Sequence, residues 1–362
     1  MTLKITLFPL VALLACTPSS SDDLPEDTDT DTDTEETGIE FECAPDPSAP
    51  VFEPGYSPSL WTVLPDTMDP DVDWHRPDVP FVVGLPHPDR IRNEVLVAFP
   101  GSGGSPERMQ RLLTTASFAG YHVIGLAYSN GGSVTDMCKG PEAPACHGEV
   151  IEERLYGNNT SDKVTVNEEN SAKGRLELLL TTLHTLRPEH EWGQFMGGGE
   201  LDWSKIAVAG HSQGGKVAAF LSSDVETARA VLLSATGSAF LGDDGEPFLA
   251  PWTLEPRATP PSRTFGLWHQ GETANAYAPI ILDSYAVNDF GPTVDVDVEE
   301  APYQCTHKLR TATAPALNNP DDPGNCTEHS AVIADDCMAL DAEGVALLTP
   351  AQLYMLTWEE SR

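Results

Sequence analysis

The chain has 362 residues, 40% of them hydrophobic, which is enough for a substantial core in one large α/β domain or in two or three smaller domains. Its 20 Lys and Arg stand against 56 Asp and Glu, a formal net charge of -36. Such a surface repels nucleic acid and anionic lipid headgroups, so no nucleic-acid partner is expected.

Residues 1–15 read as an export signal. Lys4 and the amino terminus precede an apolar run, Ile5 to Ala15, broken only by Thr6 and Pro9. That run is too short to cross a bilayer as a helix. It ends in Leu13-Leu14-Ala15-Cys16, which resembles the lipobox of bacterial lipoproteins. The resemblance implies cleavage before Cys16 and a lipid on that residue. It also implies export to the cell envelope, at the outer membrane, with membrane contact through the lipid alone. Residues 16–40 read as a linker. Asp alternates with Thr from Asp27 to Thr34, and Leu24 is the lone large apolar residue nearby. Like charges at that density keep a chain extended, and nothing apolar offsets its entropy. The run lacks the Gly that an EF-hand turn requires.

Residues 41–362 are expected to form a single domain. Phe41 to Asp89, rich in Pro and Asp, reads as irregular structure with short strands. Regular alternation then begins. Glu94–Phe99, Tyr121–Ala127, Lys205–Ala209, Ala228–Ser234 and Arg263–Trp268 read as apolar strands, and Tyr303–Arg310 as a last strand. Ser105–Ala119, Asn170–Leu186, Gln213–Ser222, Ala278–Val287 and Pro350–Trp358 read as helices, the first opened by a Ser cap and a Pro. Continuous apolar strands alternating with helices predict an α/β class domain. Its central sheet is mainly parallel, with helices on both faces.

Gly210-His211-Ser212-Gln213-Gly214 carries the chemistry. The strand Ile206–Ala209 precedes it and a run of small helical residues follows. This strand–turn–helix setting is what a nucleophile elbow requires, with Ser212 exposed on a strained turn at a helix N-terminus. A second glycine loop, Pro100-Gly101-Ser102-Gly103-Gly104, follows the strand ending at Phe99.

With these motifs the chain resembles the α/β-hydrolase superfamily over about Val51 to Trp358, in particular its secreted bacterial esterase and lipase branch. The resemblance implies the α/β-hydrolase fold and acyl transfer to water through an acyl-serine on Ser212. The glycine loop is similar to the superfamily's oxyanion loop, with Pro100 in place of the usual His. It implies Ser102 N–H and Gln213 N–H as oxyanion donors. The superfamily's chain order of Ser, acid, His points to His329, in the loop Thr327-Glu328-His329-Ser330, as the base, with His307 as the alternative. His269 lies before any acid that fits the order. The acid is expected after the strand ending at Trp268. Glu272 is the first candidate, with Asp283 and Asp289 as alternatives, and a Glu departs from the more common Asp.

No metal or other cofactor is expected, since there is neither an H-E-x-x-H nor a C-x-x-C pair. Six cysteines besides Cys16 suit three disulfides in an exported chain. Close spacing pairs Cys138 with Cys146 and Cys326 with Cys337, leaving Cys43 with Cys305. Ala235–Ser262, with five prolines, reads as a stiff apolar loop over an open cleft. The expected protein is a monomeric carboxylic-ester hydrolase acting on small or polymeric esters. The alternatives are a peptidase or amidase on the same fold, and a catalytically silent surface lipoprotein that binds a ligand.

Overall fold

The computed structural model describes Cys43, residues 49–318 and residues 326–359. The signal peptide 1–15, Cys16 and the linker 16–40 lie outside the described residues. The chain from Cys43 onward forms one compact unit.

Two strands, β1 (Leu60–Val63) and β2 (Phe81–Gly84), open the sheet. They pair antiparallel with each other, and β2 pairs antiparallel with β4 (His122–Gly125). Between them in the chain lie β3 (Val95–Phe99) and helix α1 (Gln110–Phe118). Helices α2 (Ala143–Tyr156) and α3 (Ala172–Leu186) then lead to β5 (Ile206–His211). Helix α4 (Gln213–Asp224), β6 (Arg229–Leu233) and β7 (Thr264–His269) follow. The chain closes through α5 (Ala278–Ser284), β8 (Val294–Asp295), β9 (Lys308–Thr311) and α6 (Thr349–Thr357). The sheet order among the described residues is β1-β2-β4-β3-β5-β6-β7-β9-β8, parallel from β4 onward.

Alternation along each strand splits the core into two layers. Val95, Val97, Phe99 and Val208 pack with α2, α3 and α4 on one face; Leu96, Ala98, Ala207 and Ala209 pack with α1 and α6 on the other. Strands covered on both faces must be apolar at every position. That is why β3 and β6 are buried throughout.

The structure departs from the sequence reading at four places. No helix was expected around Cys146, yet it lies in α2, which a Pro in its first turn and Gly148 disguise. Gly148 is there because a Cβ would meet Trp252 Cδ1 at 3.1 Å. The last strand is shorter than Tyr303–Arg310, since Tyr303–Cys305 is a 3-10 turn with positive φ at Tyr303, Gln304 and Cys305. Ala235–Ser262 is not a bare loop, because Ala239–Leu241 and Pro247–Leu249 form a hairpin in which Phe240 and Phe248 stack at 5.7 Å. Among the described residues two disulfides form, Cys43–Cys305 and Cys138–Cys146. Cys326 and Cys337 come together as thiols joined by a hydrogen bond, not as a third bridge.

Candidate active site

Every element of the site hangs from the C-terminal end of a strand. The chain leaves β5 at His211 and turns at Ser212, whose φ of 55° and ψ of -121° lie in a region that L-residues avoid. The turn is tight enough to exclude side chains around it. A Cβ on Gly210 would stand 2.0 Å from Gly214 O, and one on Gly214 would stand 2.1 Å from Phe99 O. These two glycines let the strand, the helix and the oxyanion loop meet, and the strained Ser212 projects from their junction. Its N–H is held by Leu233 O at 3.0 Å, which anchors the elbow to β6.

His329 and Glu272 are brought together from 57 residues apart, with His329 Nδ1 and Glu272 Oε2 in direct hydrogen-bond contact. Glu272 follows β7, and its side chain is only 3% exposed. Its Oε1 accepts from Ser234 Oγ at 2.7 Å and from His269 N–H at 2.8 Å. A buried carboxylate with this many donors is fixed in orientation. Asp283 instead accepts from Lys308 Nζ at 2.6 Å, and Asp289 is exposed. His307 is sealed in the core, stacked at 3.9 Å from Phe265 and 4.1 Å from Phe290, with burial pushing it down to about 3. It is a core histidine. His269 ends β7 and uses both ring nitrogens on backbone groups, Thr313 O and Gly271 N–H.

Ser102 and Gln213 meet across the elbow: Ser102 Oγ donates to Gln213 Oε1 at 3.1 Å. The N–H groups of Gly103 and Gly104 go to Asn130 O and Gly101 O, and that of Ser102 lies outside this set. As the first residue of α4, Gln213 presents one of the orphan donors of a helix N-terminus.

Three supports were not visible in the sequence. His211 is half-buried, and burial lowers it to about 3, with the charge of His329 acting in the same direction. It is therefore neutral, and its Nε2–H donates to His329 O at 2.7 Å, tying the base loop to the residue beside the nucleophile. The unspecified position before Ser in the motif gives no hint of this. Arg76 donates to Gly103 O at 3.1 Å, Gly104 O at 3.0 Å and to Asn130 Oδ1, while Asn130 Nδ2 donates to Gly101 O at 2.6 Å. These two residues hold the oxyanion loop from outside its own motif. Asp335 caps α1, accepting from Gln110 N–H at 2.9 Å and Arg111 N–H at 3.0 Å, and so docks the segment that carries His329.

The strand order, with two antiparallel strands before a parallel run and a Ser elbow between the fifth strand and its helix, decides the architecture. The chain has the α/β-hydrolase fold. No protein-family model matches the chain, and neither does any curated protein. Solved structures do. A thermophilic esterase from Thermogutta terrifontis is 15% identical, covering 70% of this chain and 81% of that one at a TM-score of 0.35. Esterase B from Lactobacillus rhamnosis is 12% identical over 70% of this chain and 75% of that one, also at 0.35. An α/β serine hydrolase without lid from Xanthomonas campestris is 16% identical over 65% and 79%, at 0.28. Among the described residues, no group of three or more His, Cys, Asp or Glu is placed to hold a metal ion.

Proposed function

We propose that the protein is a serine hydrolase that cleaves carboxylic esters through an acyl-serine on Ser212. The observation that carries this reading is the Glu272–His329 pair, whose His329 backbone is tied to His211, the residue beside a strained Ser212. Ser212 Oγ attacks the ester carbonyl carbon while His329 Nε2 takes the hydroxyl proton. The negative charge moves to the carbonyl oxygen, which the N–H groups of Ser102 and Gln213 receive. The C–O bond to the alcohol then breaks, and the alkoxide leaves with the proton from His329. Water repeats the sequence on the acyl-serine, giving its proton to His329 and releasing the acid. Glu272 holds the imidazole with Nδ1–H toward itself and offsets the charge that forms on the ring. In the same reading the enzyme sits outside the cytoplasm, held to the cell envelope by a lipid on Cys16. Among the described residues no helix is long and apolar enough to cross a membrane.

The test is a fluorophosphonate probe together with 4-nitrophenyl esters of increasing acyl length. The wild type is expected to label at Ser212 and to hydrolyse the esters. Ser212→Ala is expected to lose labelling and at least about 10⁴-fold in kcat. A wild type that neither labels nor turns over would instead be the silent ligand-binding lipoprotein. Turnover of amides at rates comparable with esters would favour the peptidase reading.

A further inference from the structure

Among the described residues, Lys216 is the one Lys or Arg whose side chain makes neither an ion pair nor a hydrogen bond. Even the most buried guanidinium groups, on Arg154 and Arg175, donate to backbone carbonyls. In a chain with 56 acidic residues, an unpaired cation is not a matter of scarce partners. Lys216 is also half-buried, and burial is the sole cause that lowers it, to about 8. No carboxylate acts on it. The acids of α2 nearest to α4 go elsewhere: Glu149 and Glu152 gather around Asp224, at the far end of α4.

Its position gives the vacancy a meaning. Lys216 N–H donates to Ser212 O at 3.2 Å, so Lys216 sits one turn after the nucleophile. Side chains in a helix lean toward its N-terminus, which here is Ser212. The titratable group facing it from α2 is His147, which is 3% exposed and lowered to about 3 by burial and then by the charge of Lys216. His147 Nδ1 shares a hydrogen bond of 3.0 Å with Ser238 Oγ, and its Nε2 is buried without a partner. Ser238 lies on the segment leaving β6, four residues after Ser234, which holds Glu272. A half-buried cation one helical turn after the reacting serine thus stands within electrostatic reach of a neutral imidazole that keeps one nitrogen open and is bonded to a hydroxyl.

We propose that Lys216 receives an anionic group of the substrate, so that the preferred ester carries a carboxylate a few carbons from the bond that is cleaved. This rests on the serine-hydrolase reading of Ser212. The strong negative charge of the chain disfavours anions everywhere else on the surface, so the cation sorts substrates at the one place where an anion is useful. His147 and Ser238 supply neutral hydrogen-bonding groups beside it, which leave the ammonium charge unspent.

The experiment compares kcat/KM for mono-4-nitrophenyl adipate with that for 4-nitrophenyl hexanoate, which match in acyl length, at about 0.15 M salt. The wild type is expected to prefer the adipate ester. In Lys216→Met the adipate-to-hexanoate ratio is expected to fall about ten- to a hundredfold, the range for one charged hydrogen bond. Lys216→Arg is expected to keep most of the preference. The wild-type preference is expected to decline between pH 7 and 9, as the amine loses its proton. Calorimetric titration with adipate reads the same site without turnover, and binding should be present in the wild type and absent in Lys216→Met. A ratio unchanged in Lys216→Met, or adipate binding equally to both proteins, overturns the proposal. A protein that binds adipate through Lys216 yet hydrolyses neither ester overturns the hydrolase reading and leaves an anion-binding site standing.

Discussion

In the proposed mechanism Glu272 stands where the superfamily that the sequence resembles more often has Asp, and its surroundings show how the longer side chain is held. It turns back under β7 to take Ser234 Oγ–H and His269 N–H on one oxygen and presents the other to His329. Glu272→Gln keeps the size but puts an amide against Nδ1, where it selects the wrong tautomer. A loss of about 10³–10⁴-fold in kcat, with KM little changed, is the expected outcome in steady-state kinetics. His211 acts one step further out, through the backbone of His329. His211→Phe keeps a ring and removes the Nε2–H donor. Positioning errors of about 1 Å cost roughly 10²-fold, so kcat should fall by about 10–10²-fold while fluorophosphonate labelling at Ser212 slows in parallel. Unchanged labelling in that variant would mean that His211 is merely a filler. Ser212 and the glycines around it were legible because backbone strain leaves few residue choices. The contact between Glu272 and His329 was legible because chain order restricts the candidates. His211, Arg76 and Asn130 were not, because nothing local marks a hydrogen bond that spans tens of residues.

At the scale of elements, apolar strands and capped helices were readable where one physical cause dominated. β3, β5, β6 and β7 fall within about two residues of expectation, because burial on both faces forces continuous apolar runs. Helix α2 was missed because its buried face includes His147, Glu153 and Arg154, polar residues whose hydrogen-bond partners, such as Ser238 O–H and Gly131 O, lie outside the helix. The His329 segment is the element whose position matters most, and it has little regular structure of its own. It is docked by Asp335 on the N-terminus of α1 and by Arg108, whose Nη2 donates to both Oδ1 and Oδ2 of Asp336 at 2.8 Å. Burial pushes the Asp335 carboxyl up to about 7, against the pull of the α1 N–H groups and Arg111. A carboxyl raised in the fold binds its proton more tightly there than in the unfolded chain. Its contribution is therefore present at low pH and is lost as pH rises from about 4 through 7. Asp335→Asn does not titrate. The melting temperature of the wild type minus that of Asp335→Asn should be more positive at pH 5 than at pH 8. A difference independent of pH in thermal scans would show that Asp335 is ionised throughout.

Across the whole molecule, reactive groups and structural ties occupy opposite edges of the sheet. Ser102, Ser212, Ser234 and Glu272 follow the C-terminal ends of β3, β5, β6 and β7. Cys305 precedes the N-terminal end of β9, and its disulfide with Cys43 therefore fastens the other edge. That bond joins residues 262 apart, from the start of the described domain to its last parallel strands. Pairing from the sequence succeeded here because two nearer pairs left only these cysteines. It failed at Cys326 and Cys337, where nearness in space did not become a bond. The chain-entropy model puts a loop this long at about 5–6 kcal/mol, and since disulfides commonly deliver less than that ceiling, about 3–5 kcal/mol is expected, mostly by restricting the unfolded chain. At about 2 °C per kcal/mol for a domain of this size, the double variant Cys43→Ala, Cys305→Ala should melt roughly 6–10 °C lower. Because the disulfide touches none of the residues that position Ser212 or His329, kcat at 25 °C should stay within about twofold of the wild type. A variant that loses activity at 25 °C while still fully folded would show that strain at the N-terminal edge of the sheet reaches the elbow. One that melts at the wild-type temperature would show that the unfolded chain is already held compact by other means.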